Sequence, residues 1–346
     1  MDTPRESIFS SAMRTFCRML FGLLGILIAF VIFSMVYSAF APSHLAEEKT
    51  TMTLLPDAHG NRDILPMSTP AILQIPIHGF IGDPQKLDSD LIQNVLLDSR
   101  SGLLGNDRVK GILLHFNTPG GTVVDSENIY TMLNEYKKKY KVPIFGYVDG
   151  LCASGGMMIS CSADQVFAGP PSLIGSVGVI IGPFFNFFDL MGKIGVQART
   201  ISEGLDKDML NPTRPWKEGE DASIKAVTAF MYQRFLDIVT SARPRLDRTK
   251  LVQEYGAQIF DCVTAEKLGY IDHAMATREE TLQELVKAAN LDPEKPYQVV
   301  SLTPKNPWLS ELVSGKSPLF TGKIEHTLDS PLTRIREQPC YLYQYE

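Results

Sequence analysis

Apolar and polar positions along this chain alternate between two periods. Short β-branched or apolar runs at 72–77, 109–116, 142–148 and Gln165–Ala168 have strand length and lie between stretches of helical period. One helix is predicted over 87–97. Another covers 126–140, where Ile129, Met132, Leu133, Tyr136 and Tyr140 keep the three-to-four spacing of one helical face, with Asp125 or Ser126 as N-cap. Beyond these, 177–181 and 196–201 read as strands. Ala222–Ala242 reads as a long amphipathic helix with Ile224, Val227, Met231, Phe235 and Ile238 on one side. Strands separated by helices of this length predict parallel strands joined by right-handed crossovers, and so an α/β fold.

The pattern changes near both ends. Residues 19–40 form an uncharged run of 22 residues, and about 20 apolar residues span a bilayer as a helix. Arg5, Arg14 and Arg18 precede the run, whereas Glu47 and Glu48 follow it beside Lys49. The positive-inside rule then puts the N-terminus in the cytoplasm and everything after the run across the membrane. Ala39-Phe40-Ala41 also fits a signal-peptide cleavage site, but the apolar core of such a peptide is about 7–15 residues, shorter than this one. The expected organisation is a cytoplasmic N-terminus (1–18), an anchor (19–41), a linker (42–69), one main domain (70–298) and an extension (299–346) without sustained period.

Composition narrows the class. A hydrophobic content of 44% with 21% charged residues suits a globular domain with a sizeable core. The net charge of −6, without a long basic block, argues against nucleic acid as a partner. The cysteines Cys17, Cys152, Cys161, Cys262 and Cys340 form no CxxC pair and read as small buried hydrophobes. With no HExxH and no Cys/His cluster, neither a metal nor a cofactor is expected.

Candidate chemistry concentrates in 149–164, DGLCASGGMMISCSAD. Ser154 falls where the strand at 142–148 turns into a helix at 157–161. From there it either caps the helix or acts as a nucleophile beside free backbone N–H groups. Three other segments bear on that choice. Asn117-Thr118-Pro119-Gly120-Gly121 ends a strand, as a tight turn or as a source of backbone donors. Gly175-Ser176-Val177-Gly178-Val179 holds a second glycine-flanked serine, and 203–215 holds Lys207, which alone reads as a solvated charge. A GxSxG elbow is excluded because Cys152 occupies the first glycine position, and no base is patterned with Cys152 itself. His115 lies in an apolar strand and reads as a satisfied core histidine; His78, at a strand end, reads as a cleft-lining residue.

Together these segments resemble the signal peptide peptidase A family, including its SohB-type inner-membrane relatives, over roughly 72–274. The resemblance rests on Pro119-Gly120-Gly121, Ala153-Ser154-Gly155-Gly156, Gly175 to Val179, and Gly204-Leu205-Asp206-Lys207-Asp208 followed by Pro212 and Arg214. The run 264–272 resembles a helix-to-strand segment of the wider superfamily. Met157 and Asp206 depart from the tyrosines often found at these places. The resemblance implies a ClpP/crotonase-like domain on the extracytoplasmic side of a bacterial inner membrane. It implies a Ser154/Lys207 dyad, assisted by Ser176, with the oxyanion held by N–H groups of Gly155 and of Gly120-Gly121. It also implies extended apolar peptides as substrates and a homo-oligomeric ring, possibly an octamer. A lysine base must be neutral, whereas a free lysine titrates near ~10.4, so the mechanism requires burial and no facing carboxylate. Asp206 and Asp208 flank Lys207 and oppose this if they face the amine. Two other uses of such a fold are an acyl-CoA hydratase or isomerase and an inactive membrane scaffold.

Overall fold

The computed structural model describes residues 8–40, 50–304 and 340–342. It divides into two units, Met1–Glu47 and Glu48–Glu346. The first unit is represented by one helix, α1 (Ile8–Phe40), whose large apolar side chains are exposed, among them Phe16, Phe21, Ile26 and Phe30. Among the described residues no helix is long and apolar enough to cross a membrane. The described side chains of α1 run unbroken only over 15–30, so the anchor expected at 19–41 lies partly outside the described residues.

The second unit is built on a nine-stranded sheet. Its strands are β1 (Thr50–Leu55), β2 (Ala71–Ile81), β3 (Val109–Thr122), β4 (Ile144–Ala153), β5 (Gln165–Ala168), β6 (Leu173–Gly175), β7 (Ile259–Asp261), β8 (Gln298–Pro304) and β9 (Cys340–Leu342). The order is β1-β8-β2-β3-β4-β6-β7, with β5 also on β4 and β9 also on β3. Pairs among β2, β3, β4, β5 and β6, and the β2–β8 pair, are parallel, as the alternation of strands and helices predicts. The pairs β1–β8, β6–β7 and β3–β9 are antiparallel, so the sheet is mixed. The helices are α2 (Ser89–Asp98), α3 (Val123–Tyr140), α4 (Gly155–Ser160), α5 (Phe188–Lys193), α6 (Ala222–Ala242), α7 (Arg248–Lys250), α8 (Cys262–Leu268) and α9 (Arg278–Ala288).

Period-two alternation sends the strand side chains to two faces. Ile75, Ile112, Leu114, Phe116 and Val148 pack on one face with Ile129 and Leu133 of α3, Met157–Ile159 of α4 and Phe235 of α6. Ile72, Leu113, Phe145 and Tyr147 pack on the other with Leu282, Leu285 and Val286 of α9. The result is a three-layer α/β/α body.

Several expectations change. β1 lies inside the stretch read as a linker, and β8 crosses the boundary drawn at 298, because these two strands pair with each other and close the sheet beside β2. The run 177–181 holds no strand beyond a single bridge at Ile180, and 196–201 holds none. Neither segment is taken up as a strand of the sheet. Helix α3 is capped by Thr122, whose hydroxyl accepts from Asp125 N, one turn before the expected cap. Only the C-terminal half of α6 is buried, at Phe235, Leu236, Ile238 and Val239; Val227 and Phe230 are exposed.

Candidate active site

Parallel register brings two serines together. Ala153 at the end of β4 pairs with Gly175 at the end of β6, so Ser154 and Ser176 leave adjacent strands side by side at their carboxyl ends, where open α/β sheets bind ligands. Ser154 N donates to Gly175 O at 3.0 Å, and Ser176 N donates to Gln258 O at 2.8 Å. Both serines have φ of 55°, a region that non-glycine residues seldom occupy. Such strain persists only where the surroundings enforce it, and it clusters at functional sites.

Ser154 precedes the first residue of α4, yet its side chain makes no capping hydrogen bond. Its Oγ is buried without any hydrogen-bond partner. A capping role is therefore excluded, and the hydroxyl is left for other chemistry. The first-turn N–H groups of α4, beginning with Gly155, have no intrahelical acceptor and point toward the start of the helix.

The two glycines that follow are required by packing. A Cβ on Gly155 would meet Ser126 Oγ at 2.2 Å, and one on Gly156 would meet Thr118 Cγ2 at 2.5 Å. Thr118 and Ser126 are thus the wall against which the Ser154 turn is pressed. Sequence reading named Ser126 only as a helix cap and gave Thr118 no role, because each meets its glycine only once distant elements have packed together.

The Pro119-Gly120-Gly121 segment is the end of β3 rather than a turn. Gly120 N donates to Thr118 Oγ1 at 3.1 Å, and Thr118 Oγ1 donates to Gly79 O at 2.6 Å. In this arrangement the Gly120 N–H is already engaged. Gly121 pairs with Ile81 of β2 on one side and with Tyr341 of β9 on the other. A short extended segment of the chain therefore lies antiparallel along Gly120–Thr122.

Among the described residues no hydrogen bond joins Lys207 to Ser154 or Ser176. Lys207 is exposed, in a turn where its N–H donates to Gly204 O at 3.3 Å. The Asp208 carboxylate is engaged by arginine: Arg214 Nε donates to it at 2.9 Å, and Arg214 Nη2 donates to Glu220 at 2.7 Å. These bonds hold both carboxyl groups below their ordinary range. Burial pushes the Cys152 thiol up to about 12 and the Cys161 thiol up to about 11, which leaves neither a nucleophile near neutral pH. His115, expected to be a satisfied core residue, is satisfied at one ring nitrogen only. Its Nδ1 lies 3.2 Å from His78 Nε2, and its Nε2 is buried without a hydrogen bond.

Residues 136–292 match the model of peptidase family S49. A putative protease of Methanocaldococcus jannaschii is 34% identical over 207 residues, 60% of this chain and 64% of the relative. A putative signal peptide peptidase of Enterococcus faecium is 30% identical over 65% of this chain and 65% of its own length. The matched stretch thus spans just under two thirds of these two relatives. A putative protease of Synechocystis is 32% identical over 61% of this chain and 74% of the relative. Among solved structures, a membrane-bound stomatin-specific protease aligns over 71% of this chain and 99% of its own, at 16% identity and a TM-score of 0.42. By family match and by the identity shared with these relatives, the chain belongs to peptidase family S49.

Proposed function

We propose that the chain is a membrane-anchored serine endopeptidase that hydrolyses extended apolar peptides, with Ser154 as nucleophile. One observation carries this reading: the Ser154 hydroxyl is buried, strained into place and unpartnered at the strand ends. The β9 pairing supports a peptide substrate, because an extended segment already lies along the β3 edge as an added strand. Family membership sets aside the acyl-CoA hydratase alternative.

In this mechanism Ser154 Oγ attacks the peptide carbonyl as Lys207 takes its proton, and Lys207 then returns the proton to the leaving amine. Ser176 orients the amine from the neighbouring strand end. The Gly155 N–H and a donor of the Gly120-Gly121 segment stabilise the tetrahedral oxyanion. The Gly120 N–H must exchange its bond to Thr118 to serve, which leaves Gly155 as the preorganised donor.

Lys207 must come within about 2.6–3.2 Å of the hydroxyl. The segment that carries it exposes Phe184, Phe185, Phe188, Leu190, Ile201 and Leu205. An apolar surface of this extent favours contact with further copies. Assembly into a ring would cover the surface and bring the lysine of one copy to the serine of another. The uncharged run 19–40, with exposed apolar side chains over 19–30, supports anchoring through α1. The arginines before it support an extracytoplasmic body.

The test is cleavage of a fluorogenic apolar peptide by the full chain in detergent. Ser154→Ala and Lys207→Ala are each expected to lower kcat by ~10³-fold or more. Wild-type rates in both variants would overturn the dyad, and a monomer by light scattering would overturn the ring.

A further inference from the structure

The two sheet faces end differently at the carboxyl side of the strands. One carries Ser154. On the other, the alternation that buries Ile72 and Leu113 against α9 continues outward to His78 on β2 and His115 on β3. No step of the proposed peptidase chemistry uses these histidines.

His78 Nε2 and His115 Nδ1 share a hydrogen bond at 3.2 Å, with ring centroids 4.7 Å apart and planes at 70°, and a bound ion would take the place of the shared proton. Two imidazole nitrogens bound to one zinc ion at 2.0–2.1 Å with a tetrahedral angle lie about 3.3 Å apart. The remaining nitrogen of His115 lies beside a carboxylate, just outside hydrogen-bond distance. Its Nε2 is buried without a hydrogen bond and faces Asp149 Oδ2 at 3.6 Å. A ligating histidine ordinarily gives its other N–H to a carboxylate, which fixes tautomer and ring orientation. Tyr147 stacks on His115 at 5.7 Å and 19°, which holds the ring plane.

We propose that His78 and His115 form a binding site for a divalent transition-metal ion of the zinc type, with Asp149 as the outer carboxylate. Imidazole donors suit Zn, Cu and Ni over the hard cations Ca and Mg. Among the described residues no three His, Cys, Asp or Glu side chains converge on one point. Water therefore completes the coordination, on the exposed side of His78. Arg278 is the nearby opposing charge, and it is committed elsewhere: its guanidinium donates twice to Gln74 Oε1 at 2.9 and 2.8 Å and lies 3.7 Å from Glu279.

The position gives the ion a structural reach. His78 directly precedes Gly79, whose carbonyl accepts from Thr118, which in turn accepts from Gly120 N. An ion bridging the two histidines ties β2 to β3 immediately before the segment that flanks Ser154.

The experiment uses untagged, chelator-treated full chain titrated with Co²⁺, followed by its visible absorption, and with Zn²⁺ by calorimetry. One equivalent is expected. His78→Ala and His115→Gln are each expected to weaken binding by at least tenfold, and Asp149→Asn by about tenfold or more. His59→Ala is expected to bind as wild type does. Circular dichroism confirms that each variant is folded, and exposed His78 is the least disruptive to replace. Absence of binding by the wild type, or undiminished binding by a folded His78→Ala/His115→Gln double variant, overturns the site.

Discussion

Gly155 and Ser126 are in contact to the limit of packing: a single added carbon on Gly155 would lie 2.2 Å from Ser126 Oγ. Since Ser126 is held by its own bond to Thr122 O at 2.7 Å, the hydroxyl cannot swing aside without losing a partner. Gly155→Ala is expected to destabilise the body by about 1–3 kcal/mol, the range for overpacking, and to displace the Ser154 turn. In Gly155→Ala/Ser126→Ala the nearest obstacle becomes the Cβ of residue 126, at 3.2 Å, so much of the loss is expected to return. Urea denaturation of the two single variants and the double variant measures this coupling. Gly121→Ala is the contrast, because its Cβ would meet backbone, Ile81 O at 1.9 Å, and no side-chain change can relieve that.

The turn that carries Lys207 is fastened by Arg214, which bonds both Asp208 and Glu220. Both carboxyl groups titrate below their ordinary values in the folded chain, so the folded state binds fewer of their protons than the unfolded one. Their stabilising contribution is complete above the ordinary carboxylate range, near ~4, and is lost as pH falls through the lowered values. Hydrogen exchange over 204–220, corrected for intrinsic rate, is expected to accelerate on acidification. Arg214→Ala is expected to show the same acceleration at pH 7, with less peptidase activity.

Thiol reagents are expected to spare the site. With its thiol at about 12, Cys152 is ionised in roughly one molecule in ten thousand at pH 8, and it is also buried. Iodoacetamide treatment of the native chain should leave Cys152 and Cys161 unmodified by mass spectrometry and peptide cleavage unchanged. Inactivation that tracks alkylation of Cys152 would restore a cysteine nucleophile to consideration.

Strand β9 occupies the β3 edge that the proposed substrate needs. Truncation after residue 339 is therefore expected to lower KM for an extended peptide severalfold, with little change in kcat. Unchanged KM would show that peptides approach by another edge.

The near-continuous apolar runs at 72–77, 109–116 and 142–148 mark β2, β3 and β4 because a strand buried on both faces needs apolar side chains on both. The face of α3 was legible for the same reason. Where sequence reading stopped short, distant partners decided. β3 extends to Thr122 because β2 and β9 flank it, and β1 and β8 are strands because each has the other. The β-branched runs at 177–181 and 196–201 are not taken into the sheet as strands. The outer half of the α6 stripe stays exposed because, within this chain, only its C-terminal half is covered. At Ser154 the motif narrowed the choice to cap or nucleophile. Tertiary structure left the hydroxyl without a capping bond, since the Gly175 carbonyl and the wall of Ser126 and Thr118 that hold this turn come from elements far away in sequence. Periodicity records which side of an element is apolar; what that side meets, and whether a hydroxyl keeps a partner, depends on chain segments that sequence spacing does not bring together.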